Sequence, residues 1–237
     1  MSASESTITF LGQSTVRIVT PGGKQVLIDS WVMSNPYCPE LLKEVADLDL
    51  VLITRAHRDH FDDAVEVFRR SGATGVASNE VCVWLETQGI EKLEPMCEGG
   101  SQRLMGLTIT ATHADHSNSI ATDAGKIYGG KAFGCVLTLE NGFRIYHAGD
   151  TALFGDMKLI NELYHPDLAI LPIGDRFTMG PREAAYAIRL LGVANVIPVH
   201  YGTFPIFTGT PDALRRETDD IAGLEIIELQ PGETYRL

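Results

Sequence analysis

The chain has 237 residues, of which 44% are hydrophobic and 21% are charged. This length and composition are typical of a soluble globular protein with a buried core, and we predict one domain over residues 1–237. The formal net charge of -12 argues against a nucleic-acid partner, because the protein as a whole would repel a polyanion.

No run of apolar residues approaches the roughly 18 that a membrane-spanning helix requires, so we expect no membrane partner. The first residues, M-S-A-S-E-S-T, lack the basic and apolar regions of a signal peptide, which predicts a cytoplasmic location. The cysteines form no Cys-x-x-Cys pair, as expected for reduced thiols in that compartment. They are Cys38, Cys82, Cys97 and Cys135.

Short runs of apolar and β-branched residues predict three strands near the start of the chain, at Thr7–Leu11, Thr15–Val19 and Gln25–Ile28. Asp29 ends the third strand, where the ordinary role of an aspartate is to form a turn or a cap. We expect residues 30–38 to form a loop that lines a pocket. The aromatic side chains of this loop are Trp31 and Tyr37.

The stretch from Leu50 to His60, L-V-L-I-T-R-A-H-R-D-H, carries the strongest functional signal. Its four leading apolar residues predict a strand buried on both faces. His57, Asp59 and His60 then lie at the carboxyl end of that strand, where open α/β sheets place their chemistry. Two imidazoles and a carboxylate suit zinc, manganese or iron, and the lack of a nearby cysteine argues against a structural zinc site. The alternative interpretation is a solvated loop.

Histidine and aspartate recur at the ends of other predicted strands, which favours a metal site over surface decoration. His116 follows the strand Leu107–Thr112, although His113 competes with it for the ligand role. Two further candidates follow the predicted strands Phe143–His147 and Asn195–Val199; they are Asp150 and His200.

The other segments alternate between helix and strand. Ala121–Lys131 is rich in glycine and has no secondary-structure signal, which predicts a flexible flap over the site. Asn141-Gly142 predicts a hairpin turn. One predicted helix is capped by Asp62 and Asp63 and runs to Arg70. The other predicted helices are Glu40–Val45, Asn79–Gln88, Pro181–Leu191 and Asp212–Ile221. The remaining predicted strands are Thr74–Ala77, Phe133–Glu140, Leu168–Pro172 and Leu224–Glu228.

Several segments together resemble metallo-β-lactamase-fold hydrolases. They are F-L-G-Q-S, L-I-D-S, the turn that ends at His60, Y-H-A-G-D-T-A-L-F, L-P-I-G-D-R-F-T-M-G-P and I-P-V-H-Y-G-T-F-P. The chain is similar in particular to the small single-domain branch of metal-dependent hydrolases related to ascorbate-6-phosphate lactonase. The resemblance implies an α/β fold, specifically the four-layer αββα sandwich of the metallo-β-lactamase type, and a metal-dependent hydrolase activity.

In the family pattern, two metal ions share the site: three histidines bind one ion, and the other ion takes two residues of the turn, a bridging aspartate and a final histidine. The resemblance selects His116 over His113 and implies that Asp29 orients a ligand histidine. Carried over by position, the first metal keeps His57 and His116, and the second keeps Asp59, His60, Asp150 and His200.

One departure from the pattern is Arg55, which stands where the first histidine of the family's His-x-His-x-Asp-His turn belongs. Arginine is always charged and has no lone pair to offer a metal. A cation about 5 Å away would be repelled by roughly 3 kcal/mol at an effective dielectric constant of about 20. We therefore expect a weakened first metal site. Arg55 either binds a phosphate or carboxylate of the substrate, or packs as an inert replacement against Asp115 or another acid.

The implied reaction is hydrolysis of a small ester, lactone or phosphodiester by a metal-bound hydroxide, with Asp59 as the candidate that holds and deprotonates the water. Zinc is the expected cofactor, with manganese and iron as alternatives. The expected partner is a small-molecule substrate, anionic if Arg55 binds it, and a homo-oligomer stays open. Two other functions remain: a ribonuclease of the same fold, which charge and length disfavour, and a catalytically reduced metal-binding protein that binds a ligand or partner.

Overall fold

The computed structural model describes residues 6–237. The first half of this range folds into six strands, three α-helices and a 3-10 turn at Glu40–Leu42. The strands are β1 (Thr7–Gly12), β2 (Thr15–Val19), β3 (Gln25–Ile28), β4 (Leu50–Leu52), β5 (Thr74–Ser78) and β6 (Leu93–Met96), and the helices are α1 (Arg58–Phe61), α2 (Ala64–Ser71) and α3 (Asn79–Thr87).

The second half contains the remaining strands and helices. The strands are β7 (Ser101–Leu104), β8 (Leu107–His113), β9 (Ser119–Thr122), β10 (Gly125–Tyr128), β11 (Phe133–Thr138), β12 (Arg144–His147), β13 (Leu168–Pro172), β14 (Asn195–Val199), β15 (Glu225–Ile226) and β16 (Thr234–Arg236). The helices are α4 (Met157–Tyr164), α5 (Pro181–Leu191) and α6 (Pro211–Glu217).

Most of these strands form two seven-stranded sheets of similar design. The first has the order β16-β1-β2-β3-β4-β5-β6 and the second the order β15-β14-β13-β12-β11-β8-β7. In each sheet the strands are antiparallel on one side and parallel on the other: β3 through β6 run parallel in the first sheet, and β12 through β15 in the second. The carboxyl ends of the parallel strands hold most of the candidate site residues, whereas His116 follows the antiparallel strand β8.

The two sheets pack face to face around a buried core, and helices cover their outer faces. Side chains such as Ile28 and Leu52 from the first sheet share one apolar cluster with Ile170 and Ile197 from the second. A second cluster joins β3 and β4 to α2 and α3, and a third joins β13 and β14 to α4, α5 and α6. This confirms the predicted α/β class with four αββα layers. None of the helices within residues 6–237 is both long and apolar enough to cross a membrane.

A proline and a glycine explain the two ends of helix α5, whereas the predicted cap of helix α2 has another role. Helix α5 begins with Pro181, whose missing N–H is not needed in the first turn, and it ends at Gly192, which takes the left-handed conformation with a φ of 60°. Asp63 stands at the N-cap position of α2, as predicted, but its side chain makes no cap hydrogen bond. It accepts instead from the backbone N–H groups of Val32 and Ser34, so it holds the aromatic loop.

Several predicted segments differ from the structure. The prediction that Ala121–Lys131 lacks regular structure is wrong, because β9 and β10 form an antiparallel hairpin there. Asn118 accounts for this difference, since its side chain donates to the carbonyls of Gly129 and Lys131 and ties down the end of the hairpin. The helix predicted at Glu40–Val45 is only a 3-10 turn. The last predicted helix and strand are shorter than expected, and the sequence patterns missed α1, α4, β6, β7 and β16.

The buried position of Leu52 between the sheets gives a test of the fold. Leu52 is 1% exposed, whereas Leu41 in the 3-10 turn is 93% exposed. We expect Leu52→Ala to lower the free energy of unfolding by about 2–5 kcal/mol, because it removes packed methyl groups and leaves a cavity. The matched control Leu41→Ala should change it by less than about 0.5 kcal/mol. Urea unfolding measures both, and equal effects would contradict this packing.

Candidate metal centre

The turn after β4 is held in place by hydrogen bonds to two other segments. The backbone N–H and the hydroxyl of Thr54 both donate to Asp29, at 2.8 and 2.9 Å. The side-chain oxygen of Asn118 accepts from the N–H of Ala56 at 2.7 Å. The N–H of Ser30 donates to the carbonyl of His60 at 2.7 Å. The turn therefore has a defined shape before any ligand binds.

Four side chains converge at the shared edge of the two sheets and form what we call the ligand cluster. They are Asp59, His60, Asp150 and His200, and their potential ligand atoms all lie within 4.8 Å of one another. Nε2 of His60 is 3.4 Å from Oδ1 of Asp150 and 3.6 Å from Oδ2 of Asp59. Nε2 of His200 is 3.0 Å from Oδ2 of Asp150 and 3.5 Å from Oδ2 of Asp59. Ligands about 2.0–2.1 Å from a tetrahedral ion are roughly 3.3 Å apart, so these separations fit one metal ion.

Unsatisfied polar atoms in the cluster support the same conclusion. Nε2 of His60, Nε2 of His200 and Oδ1 of Asp150 are buried and have no hydrogen-bond partner among residues 6–237. Leaving buried polar atoms without partners costs free energy, and such groups in native proteins usually have an explanation. A cation bound by these atoms would supply that explanation, so the donor set fits a divalent metal.

Asp29 lies beside the ligand cluster and contacts His60. Its Oδ2 is 2.5 Å from Nδ1 of His60, and both side chains are fully buried. A carboxylate at Nδ1 fixes the tautomer and ring orientation of an imidazole and leaves Nε2 free to bind a metal. This is the contact expected from the role predicted for Asp29.

Gln13 is a site residue that the sequence analysis did not single out. Its Nε2 donates to Oδ2 of Asp59 at 2.8 Å, and its backbone carbonyl accepts from the N–H of His200 at 2.6 Å. Gln13 is 1% exposed and has a φ of 57°, so the loop after β1 holds it in an unusual conformation. The only sequence signal was the F-L-G-Q-S segment.

Arg55 lies against the ligand cluster and is 3% exposed. Its Nη2 donates to Asp150 and to Oδ1 of Asp59, the latter at 3.3 Å. The acids that it contacts are therefore cluster members rather than Asp115, the partner that the sequence named first. Its Nε and Nη1 atoms are buried and have no hydrogen-bond partner among the described residues.

His57 and His116 lie together on the other side of Arg55. Their rings are 5.5 Å apart, and Nε2 of His116 is 3.9 Å from Oδ2 of Asp150. Burial and then the charge of Arg55 lower the pKa of His57 to about 4, and the same two causes lower the pKa of His116. His113 is exposed and contacts Glu98, away from the cluster.

In the ligand cluster the pKa values of the histidines are raised, whereas those of His57 and His116 are lowered. Burial works against a charged His60, but the carboxylates of Asp150, Asp29 and Asp59 raise its pKa to about 10. Asp150 and Asp59 also raise the pKa of His200 against the effect of burial. Burial works against the charge of Asp59 and Asp150 too, yet neighbouring cationic groups hold the pKa of both carboxyls below the usual range. The carboxylates therefore favour positive charge at His60 and His200, which suits a site for a cation.

A cavity of about 750 Å³ opens next to the ligand cluster. Asp59 and His200 reach it from the cluster, and Arg55 and His57 reach it from the turn. Trp31 of the aromatic loop also lines it, as predicted, whereas Tyr37 lines a separate cavity and donates to the carbonyl of Thr203. No residue of 121–131 lines this cavity in the structure, and the role of the segment as a flap stays a prediction.

The fold and the ligand cluster define the class of the protein as a metal-dependent hydrolase of the metallo-β-lactamase type. A family model described as "Beta-lactamase superfamily domain" matches residues 24–201. The solved structure of Igni18, a metallo hydrolase from Ignicoccus hospitalis, has a TM-score of 0.87 and 33% sequence identity, and the likeness covers 99% of each chain.

Relatives at higher identity extend over nearly the same length. A UPF0173 metal-dependent hydrolase of Rubrobacter xylanophilus is 53% identical over 95% of this chain and 94% of its own length. A second, from Koribacter versatilis, is 45% identical over 96% of this chain and 97% of its own length. The chain belongs to this family of metal-dependent hydrolases, and the predictions of family and enzyme class are confirmed. The relation to ascorbate-6-phosphate lactonase stays a prediction.

The raised pKa of His60 predicts that metal binding releases protons. Because a proton and a metal compete for the same imidazole, the apparent zinc affinity should rise with pH by about tenfold per unit for each proton released. Titration calorimetry at several pH values measures the apparent zinc affinity. Repeating it in buffers of different ionisation enthalpy gives the number of protons released. His113→Ala, a histidine outside the cluster, should leave the dependence unchanged. Zinc affinity that does not vary with pH would contradict the prediction.

Proposed function

We propose that this protein hydrolyses a small-molecule substrate with one catalytic metal ion, held by the ligand cluster. The buried, unpartnered atoms of His60, His200 and Asp150 carry the proposal, because they belong to a cluster whose ligand atoms lie within 4.8 Å of one another and which reaches an open cavity through Asp59 and His200. Zinc suits two imidazoles and two carboxylates at these separations, and manganese or iron are the alternatives. Asp59, His60, Asp150 and His200 would hold a divalent ion, which would supply Lewis acidity to a water molecule and to a substrate oxygen. Esters, lactones and phosphodiesters are the substrate classes that this chemistry serves.

Asp59 has the predicted catalytic role because of its position. Its side chain is 22% exposed, whereas those of Asp150 and His60 are 0% exposed, so it lies between the cluster and the cavity. Gln13 fixes its Oδ2, and Oδ1 remains directed toward Arg55. Since its pKa is lowered, Asp59 is a carboxylate at neutral pH and orients a water by accepting a hydrogen bond.

Arg55 takes the place that a second metal would need. Its guanidinium contributes a fixed positive charge next to the ligand cluster, which stabilises negative charge that develops on a substrate oxygen. It also holds Asp59 and Asp150 in position.

The second candidate is a catalytically reduced protein of the same fold that binds a metal and a ligand or partner. One observation favours it: Arg55 donates to both carboxylates of the cluster and so competes with a metal for them. This candidate predicts ligand binding without turnover.

A panel of lactones, phosphodiesters and thioesters tests the proposal on zinc-loaded protein. We expect turnover that falls by at least about 10³-fold in Asp150→Ala, because the metal loses a buried ligand. Asp123→Ala, which changes an exposed aspartate in the turn of the β9–β10 hairpin, should have full activity. Turnover that persists in Asp150→Ala would place the chemistry elsewhere. Metal-dependent ligand binding without turnover on any class would favour the second candidate.

The charge of Arg55 predicts the metal stoichiometry. We expect the unaltered protein to hold one zinc ion per chain through dialysis, and Arg55→His to hold close to two, because it removes the buried cation and adds a third imidazole beside His57 and His116. Arg58→His, the same change at a neighbouring exposed arginine, should leave the content at one. Mass spectrometry of metal content measures all three. Two tightly bound ions in the unaltered protein would refute the role assigned to Arg55.

A further inference from the structure

One side of the cavity beside the ligand cluster is apolar, and we call it the apolar wall. Its members come from three loops that follow parallel strands: one after β3, one after β13 and one after β14. They are Trp31, Phe177, Phe204, Ile206 and Phe207.

The aromatic members of the wall contact one another in a chain that ends at the cluster. Trp31 and Phe204 stack with their ring centroids 6.2 Å apart. Phe207 packs edge-on against Phe204 at 5.5 Å and against Phe177 at 6.3 Å. The ring of Phe207 also lies 4.6 Å from the ring of His200. A group seated on the wall would therefore lie directly beside the metal.

The wall keeps much of its apolar surface in contact with water. Phe177 is 57% exposed, Ile206 is 43% exposed and Phe204 is 40% exposed. Single exposed apolar residues are common, but a contiguous group beside a catalytic cluster indicates a binding site for an apolar ligand.

The charged groups of the cavity leave little attraction for an anion. Arg55 is compensated by two carboxylates of the cluster. Arg58, at the rim, pairs with Asp62 at 3.0 Å. A divalent ion held by the cluster would add two positive charges, and together with Arg55 these are offset by the carboxylates of Asp29, Asp59 and Asp150. The charge balance therefore favours a neutral substrate over the anionic one that Arg55 suggested from sequence.

We propose that the apolar wall binds the acyl group of a neutral ester of a hydrophobic carboxylic acid. This rests on the proposed hydrolase function and names its substrate class. Water adds to the acyl carbon, the bond between that carbon and the alkoxy oxygen breaks, and the products are the carboxylic acid and the alcohol. The volume of about 750 Å³ accommodates a phenyl or branched aliphatic group together with the ester.

Methyl phenylacetate and methyl acetate form a matched pair that differs only in the acyl group. On zinc-loaded protein, with released acid followed by pH-stat, we expect kcat/KM to be about 100-fold higher for the phenylacetate, as burial of a phenyl group predicts. Phe204→Ala should reduce this ratio to about tenfold, and Phe204→Leu should restore part of it. Tyr186→Ala removes an aromatic ring that is 54% exposed on α5, away from the cavity, and should leave the ratio unchanged. A ratio near one in the unaltered protein would overturn the proposal.

A binding measurement separates the pocket from the chemistry. The ketone 1-phenylbutan-2-one has the shape of methyl phenylacetate but cannot be hydrolysed, and an NMR titration compares it with butan-2-one. We expect at least about tenfold tighter binding of the phenyl ketone, and loss of that preference in Phe204→Ala. Preferential binding without ester hydrolysis would support the apolar pocket and contradict the hydrolase function. Equal binding of the two ketones would overturn the proposal that the wall binds an apolar group. A dimer that dissociates in Phe204→Ala would also overturn it, because a second copy of the chain would then cover the wall.

Discussion

The contact of the Arg55 guanidinium with two carboxylates is the interaction on which the rest of the site depends. A buried cation has to be compensated, because removing it from water is costly and loss of its partners leaves an unpaired charge. Asp59 and Asp150 provide that compensation, and they are also members of the ligand cluster. The same two residues therefore hold the internal cation and belong to the group of side chains that could hold a metal ion.

The interaction also joins the two halves of the fold. Asp59 and His60 follow a strand of the first sheet, whereas Asp150 and His200 follow strands of the second, and the cluster exists only where the two edges meet. Close packing maintains that meeting. A Cβ atom at Gly149, in the loop after β12, would lie 3.2 Å from the Cβ of Thr54 in the turn after β4, and Gly149 has a φ of 62°, so glycine suits this close approach of the two sheets. The precision of the metal site is thus a property of sheet packing as much as of the turn.

Residues that follow buried strands were predictable from sequence, and contacts between distant loops were not. Asp150 and His200 each come after an apolar run, and that pattern places them at one edge of an α/β sheet. Gln13 has no comparable signal, because a lone glutamine in a turn is ordinary and its partner Asp59 is remote in sequence. The charge of Arg55 was evident from its residue type. Its contact with Asp150 was not, because these residues come together only when the two sheets pack.

We propose that one metal ion and one guanidinium share the space where a metal pair would otherwise bind. The most direct test is a crystal structure of the zinc-loaded protein with anomalous diffraction data on both sides of the zinc absorption edge. We expect one full-occupancy zinc peak among Asp59, His60, Asp150 and His200, with Arg55 still in contact with a carboxylate of the cluster. A second strong peak between His57 and His116, with the Arg55 side chain displaced, would contradict it.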